Sequence, residues 1–292
     1  MMHHNQFKRA TMAALAATFG LLGLASVATT AHADSFKTLS KYSYVKTTRA
    51  MYTGQHTYIN GKKGRKLITP KGTILKITGT GASRNSDGTL KYTIGLSRGD
   101  LHYNAEKNIA EASGQIAFKA SDFKGYKLKM PVRTKLLQSG TGYFGDSDTV
   151  HRYKPLFHVT LDGYVEYYST ARLKHYGIYN GIEMSKLYDL PNGGNTSYTG
   201  AYINRIKPTA SVKLSTFKVK GNTTYLYYKT PINGLTEKKV SSRYYRLTIK
   251  KTTDTLTQSW QYGDEDFTNA WWARYSVGGH HYFDLIELER GD

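Results

Sequence analysis

The sequence predicts an all-β chain of small modules in tandem with few short helices, and three observations carry that prediction. Twenty-five tyrosines, every one after residue 41, stand among many Thr, Val, Ile and Gly residues, a composition suited to half-buried pleated surfaces. Short alternating runs recur at 73–78 (TILKIT), 91–94 (KYTI), 164–167 (YVEY) and 245–249 (YRLTI), the period of a strand with one face buried. Between them lie the turn formers Asn60-Gly61, Asp87-Gly88, Asp162-Gly163 and Asn233-Gly234, dipeptides suited to hairpins. Helical patterning is confined to 105–112, 183–190 and 266–275.

Residues 1–33 read as a secretory signal peptide. Lys8 and Arg9 precede an apolar run from Ala10 to Ala28, and Ala31-His32-Ala33 supplies the small-x-small cleavage pattern, so cleavage is expected after Ala33. A linker, 34–41, follows. No later stretch approaches the length of apolar residues needed to span a bilayer. LPNGG at 190–194 is internal and is followed by neither an apolar segment nor a basic tail, so attachment to a surface is expected to be non-covalent. The chain has no cysteine, which excludes a disulfide framework, a thiol nucleophile and thiolate zinc, and in an exported protein leans towards a bacterial source.

The remainder repeats itself. TTRAMYTG (47–54) aligns with RTKLLQSG (133–140), placing Thr48 on Thr134, Arg49 on Lys135 and Gly54 on Gly140. ILKITGTG leads to DGTLKYTI as LFHVTLDG leads into DGYVEYYS, and a third copy is suggested by ASVKLSTFKVKG and RYYRLTIKKTTDTLTQ. The copies divide the chain into 42–120, 121–200 and 201–263, leaving an acidic, aromatic segment at 264–292. A basic strand (VKTTRAMYTG), a Lys/Gly-rich turn (NGKKGRKLITPKGT), KIT and a DG-x-L-x-Y hairpin together resemble the SH3-like modules of secreted Gram-positive surface proteins, found in lactobacilli and their relatives. The resemblance implies tandem half-open barrels of five to six strands that associate with wall polymers.

Charge points the same way. Beyond the signal stand 39 basic and 21 acidic residues, a net +18, distributed as +23 over 34–263 and −5 over 264–292. Such a body attracts polyanions through its long-range field and releases them in salt. The expected polyanion-binding residues are Lys62, Lys63, Arg65, Lys66 and Lys71 in one loop, and Lys218, Lys220, Lys238, Lys239, Arg243 and Arg246 in a second cluster. Outside a Gram-positive cell the abundant partners are teichoic and lipoteichoic acids. Export argues against nucleic acid despite the interleaved tyrosines of TTYLYYKT and SSRYYRLTIKK.

Other constellations weigh less. FGDSDTVH (144–151) contains the FGDS-x-T string of GDS-type esterases, with Ser147 as the nucleophile. Yet the residues before it are polar rather than a buried strand, and its single Asp-x-x-His, Asp148 to His151, overlaps the serine block; a nucleophile and its base need separate supports. An exposed Asx-type turn fits better, and no enzyme activity is expected. His280 and His281 on a strand would face opposite sides and share no ion, and Asp264-Glu265-Asp266 lacks a calcium-loop pattern; no metal or other cofactor is expected. Trp260, Trp271 and Trp272, within an aromatic-rich terminus, suggest an alternative, a glycan-binding adhesin for host or bacterial sugars, although large aromatics are more often core.

Overall fold

A computed structural model describes residues 35–59, 62–109, 115–142, 153–176, 203, 206–262 and 266–291. After a single-turn helix α1 (Phe36–Leu39), capped by the Ser35 hydroxyl accepting from the Thr38 N–H at 3.2 Å, come β1 (Tyr44–Thr47), β2 (Met51–Ile59), β3 (Lys62–Thr69), β4 (Ile74–Arg84) and β5 (Leu90–Ser97). Then follow α2 (Tyr103–Glu106), β6 (Ile116–Ala117), a 3-10 turn (Ala120–Asp122) and β7 (Phe123–Tyr126). These strands make an antiparallel sheet in the order β6-β5-β4-β1-β7, with β2 and β3 as a separate hairpin. The sheet closes on Leu39, Val45, Met51, Leu75, Ile94, Leu96 and Phe123. Arg49 clamps β2's entry to the turn before β7, through two hydrogen bonds of 2.7 and 2.9 Å to the buried Asp122 carboxylate.

The rest forms a closed barrel. β8 (Leu136–Ser139), β9 (Leu156–Val159), β10 (Tyr164–Tyr168), a helix α3 (Thr170–Tyr176), β11 (Ala210–Lys220), β12 (Thr223–Tyr228), the two-residue β13 (Lys238–Lys239), β14 (Tyr245–Tyr262), β15 (Asp266–Val277) and β16 (His280–Gly291) follow in order. Each long strand pairs antiparallel with the next, β12 passes to β14, and β16 returns to β8 through Tyr282–Ser139 and Phe283–Gln138. Eight strands make an interior just wide enough for side chains, and Leu137, Phe157, Val165, Tyr167, Leu226, Tyr228, Leu247, Ile249, Tyr275 and Tyr282 fill it. Met130 and Val132 join this core from before β8, and Ile232 and Leu235 from the loop after β12. Gly234 in that loop has φ +109°, and a Cβ there would lie 2.3 Å from the Tyr167 hydroxyl, so the Asn-Gly turn is fixed by barrel packing.

The two sheets meet at residues 98–106. Leu161 N–H donates to the Asp100 carbonyl (2.7 Å), His102 N–H to Asp162 Oδ1 (3.1 Å) and Tyr103 N–H to Glu166 Oε1 (3.0 Å). Glu166 is wholly buried on the outer face of β10 and also accepts from Ser211 (2.9 Å) and His158 Nε2 (3.3 Å).

The all-β class is therefore observed, with 73–78, 91–94, 164–167 and 245–249 falling within β4, β5, β10 and β14, respectively, apart from the first residue of the 73–78 run. The architecture differs from a row of half-open barrels: β7 pairs with β1 although it lies past residue 120, and one barrel runs through the divisions at 200/201 and 263/264. The reason is the length of β14, 18 residues, which reaches from β12 at one end to the β15 hairpin at the other. Residues 266–275 are strand rather than helix, because Ala273, Tyr275 and Val277 enter the barrel with period two. Opposite Trp271 and Trp272 the register shifts by one residue on β16, where Glu287 and Leu285 are the successive partners. Of 105–112 only a shorter turn, α2, is helical among the described residues, and 183–190 lie outside them.

Candidate polyanion-binding surface

The two basic clusters read from the sequence fall on different elements. Lys62, Lys63, Arg65 and Lys66 are all exposed along β3, and Lys71 is exposed in the turn behind it. Ile59 pairs with Lys62, Tyr58 with Lys63 and His56 with Lys66, so Lys63 and Lys66 each stand opposite a ring-bearing residue across the hairpin. Lys66 Nζ stands 5.2 Å from the centre of the Tyr52 ring, and the Tyr52 hydroxyl meets His56 Nδ1 at 3.2 Å. His56 is pushed below its ordinary value by desolvation and by the fields of Lys63 and Lys66.

The second cluster is a sheet face. In TTYLYY (223–228), Leu226 and Tyr228 enter the barrel, so Tyr225 and Tyr227 face outward, half-buried. A register shift between Leu214 and Thr216 turns Lys218 and Lys220 outward beside them, while Phe217 goes in. On β14, Leu247 and Ile249 point in, leaving Arg246, Thr248 and Lys250 outside. Cross-strand pairing then sets three rows. Thr216, Tyr227, Arg246 and Lys238 form the first; Lys218, Tyr225 and Thr248 the second; Lys220, Thr223 and Lys250 the third. Successive rows are about 7 Å apart, from the rise of two strand residues.

No carboxylate enters these rows. Across 190–253 there are twelve basic residues and one acid, Glu237. Glu237 is already engaged: its Oε1 accepts from the Ile232 N–H at 2.9 Å and its Oε2 from the Tyr228 hydroxyl. Burial, with that hydrogen bond second, pushes the Tyr228 phenol far above its usual range. Arg246 lies over the Tyr225 ring at 5.4 Å, and its Nε is buried without a hydrogen-bond acceptor. An oxyanion laid on the face would meet the Arg246 guanidinium beside that ring.

Of the sequence-predicted residues, the structure thus assembles Lys218, Lys220, Lys238 and Arg246. Lys239 pairs with Tyr245 and alternates to the other side, and Arg243 is exposed in the turn before β14. Tyr225, Tyr227 and Lys250 belong to the face but were not singled out from the sequence; period-two alternation in TTYLYY and in YRLTIK was the signal that could have found them.

Other candidates are placed as follows. Trp272 is only 2% exposed and Trp271 is half-buried, so Trp272 offers no free ring to a sugar; the side chain of Trp260 lies outside the described residues. His280 and His281 are both exposed at the start of β16, and no cluster of three metal-ligating side chains occurs among the described residues. Ser147, Asp148 and His151 lie outside the described residues. Asp284, of the acidic terminus, is bound by Lys135 at 2.8 Å, and burial raises its carboxyl above the usual range. Among the described residues no helix is long and apolar enough to cross a membrane. No protein-family model, curated protein or solved structure matches the chain.

Proposed function

We propose that this is an exported, non-enzymatic surface protein that adheres non-covalently to the anionic polymers of a Gram-positive wall, teichoic or lipoteichoic acid. The observation that carries the reading is the outer face made by β11, β12 and the first six residues of β14, whose three rows hold no carboxylate and where Lys218, Lys220, Arg246 and Lys250, with Lys238 beside Arg246, share one side of a sheet. Their backbone is held by the packed barrel beneath, so the cations are displayed without ordering a loop first. The exposed lysines of the β2–β3 hairpin add a second contact on the same chain, which raises the affinity for a long polymer through effective concentration. Within this reading the sheet of 44–126, with its basic hairpin, is the SH3-like part, and the signal at 1–33 delivers the chain to the wall.

The test is a pull-down of the purified 34–292 chain on intact Gram-positive walls at low and high salt. Binding at low salt that is released as salt rises supports the reading. Retention unaffected by salt contradicts it and favours a contact made by uncharged groups.

A further inference from the structure

We propose that the barrel face selects anionic glycans, polymers with sugar rings beside their phosphate, sulfate or carboxylate groups, over bare polyanions of equal charge. The inference rests on the polyanion reading above and sharpens it.

The first two rows on the face each mix three chemistries, and the third holds two of them. Cations stand at Lys218, Lys220, Arg246, Lys250 and Lys238; hydroxyls at Thr216, Thr223 and Thr248; outward rings at Tyr225 and Tyr227. The rings occupy the central strand β12, with cations to either side on β11 and β14. A bare polyanion following the cations would cover the two rings and the hydroxyls without satisfying them, at a cost in desolvation. A sugar ring presents an apolar face to a tyrosine and hydroxyls to threonines, while its charged substituent reaches the cations. Arg246 adds a positional constraint. Its guanidinium is held over the Tyr225 ring, so an anionic oxygen paired with it lies immediately beside a tyrosine. That juxtaposition belongs to a charged sugar or a glycosylated polyol phosphate rather than to a uniform phosphate chain.

The experiment compares two probes of matched length and charge, a glycosylated poly(polyol phosphate) and inorganic polyphosphate, over a series of salt concentrations. Cations set the slope of log affinity against log salt; ring stacking shifts its level without changing the slope. The wild-type chain is expected to bind the glycosylated probe more tightly by about tenfold, the scale of one ring stacking on an aromatic side chain. Tyr225→Ser with Tyr227→Ser is expected to erase that preference with the slope unchanged, whereas Tyr225→Phe with Tyr227→Phe keeps it and controls for folding. Equal binding of both probes overturns the glycan preference while leaving the polyanion reading intact. Binding of neither overturns both.

Discussion

Replacing Lys218, Lys220 and Lys250 together by Ala removes three of the five cations on the barrel face and touches nothing beneath it, because the inward neighbours Phe217, Leu226, Leu247 and Ile249 are unchanged. For a flexible polyanion each neutralised charge contributes about −0.7 to the slope of log affinity against log salt. Five contacts thus give a slope of about −3.5, and a fourfold rise in salt weakens binding about 100-fold. With two contacts left the slope falls to about −1.4 and the same salt rise costs about 7-fold. The assay is equilibrium binding of fluorescent polyol-phosphate polymer at 50 to 200 mM salt, using a form in which the hairpin cations Lys62, Lys63, Arg65 and Lys66 are already Ala, so that the hairpin no longer contributes. Thermal unfolding checks that the triple variant is folded. An unchanged slope in a folded triple variant refutes the assignment of these lysines to the contact.

Three further outcomes follow from the geometry. Ligand binding at the hairpin neutralises the fields of Lys63 and Lys66 that depress His56, so bound polymer raises the His56 midpoint and affinity strengthens as pH falls through it; an NMR titration with and without polymer reads the shift. Glu166→Ala strips acceptors from the Tyr103 N–H, the Ser211 hydroxyl and His158. This is expected to cost about 1–3 kcal/mol for each buried donor left without an acceptor, and to speed proteolysis between 98 and 106. Burial pushes the phenols of Tyr275 and Tyr282 up to about 12. The native barrel disfavours their ionised forms, so this contribution to stability is complete below pH 10 and is lost as pH climbs from 10 towards 12; absorbance titration with denaturation curves at each pH measures it.

Much of the fold was legible because its signals are local. Alternation in ILKIT, YVEY and YRLTI located three strands, and Asp87-Gly88 and Asp162-Gly163 located the turns between their hairpins. Closure was not legible. Nothing in the four residues of β8 announces that Phe283 will pair with Gln138 across 145 positions, nor that β14 will serve both β12 and β15. The helix expected at 266–275 failed because Ala273, Tyr275 and Val277 enter the barrel with the period of a strand, and the pairing of β15 with β14 and β16 that imposes this period is long-range. At the candidate surface, the charge run marked Lys218, Lys220, Lys238 and Arg246, but lateral registry decided which cations are neighbours. That registry admitted Lys250 and the two tyrosines, and sent Lys239 to the other side.

The most direct measurement of the central claim is binding of the 34–292 chain to walls before and after chemical removal of their teichoic acid, at one low salt concentration. Capture by intact walls and loss of capture by stripped walls are expected. Undiminished capture by stripped walls contradicts that claim.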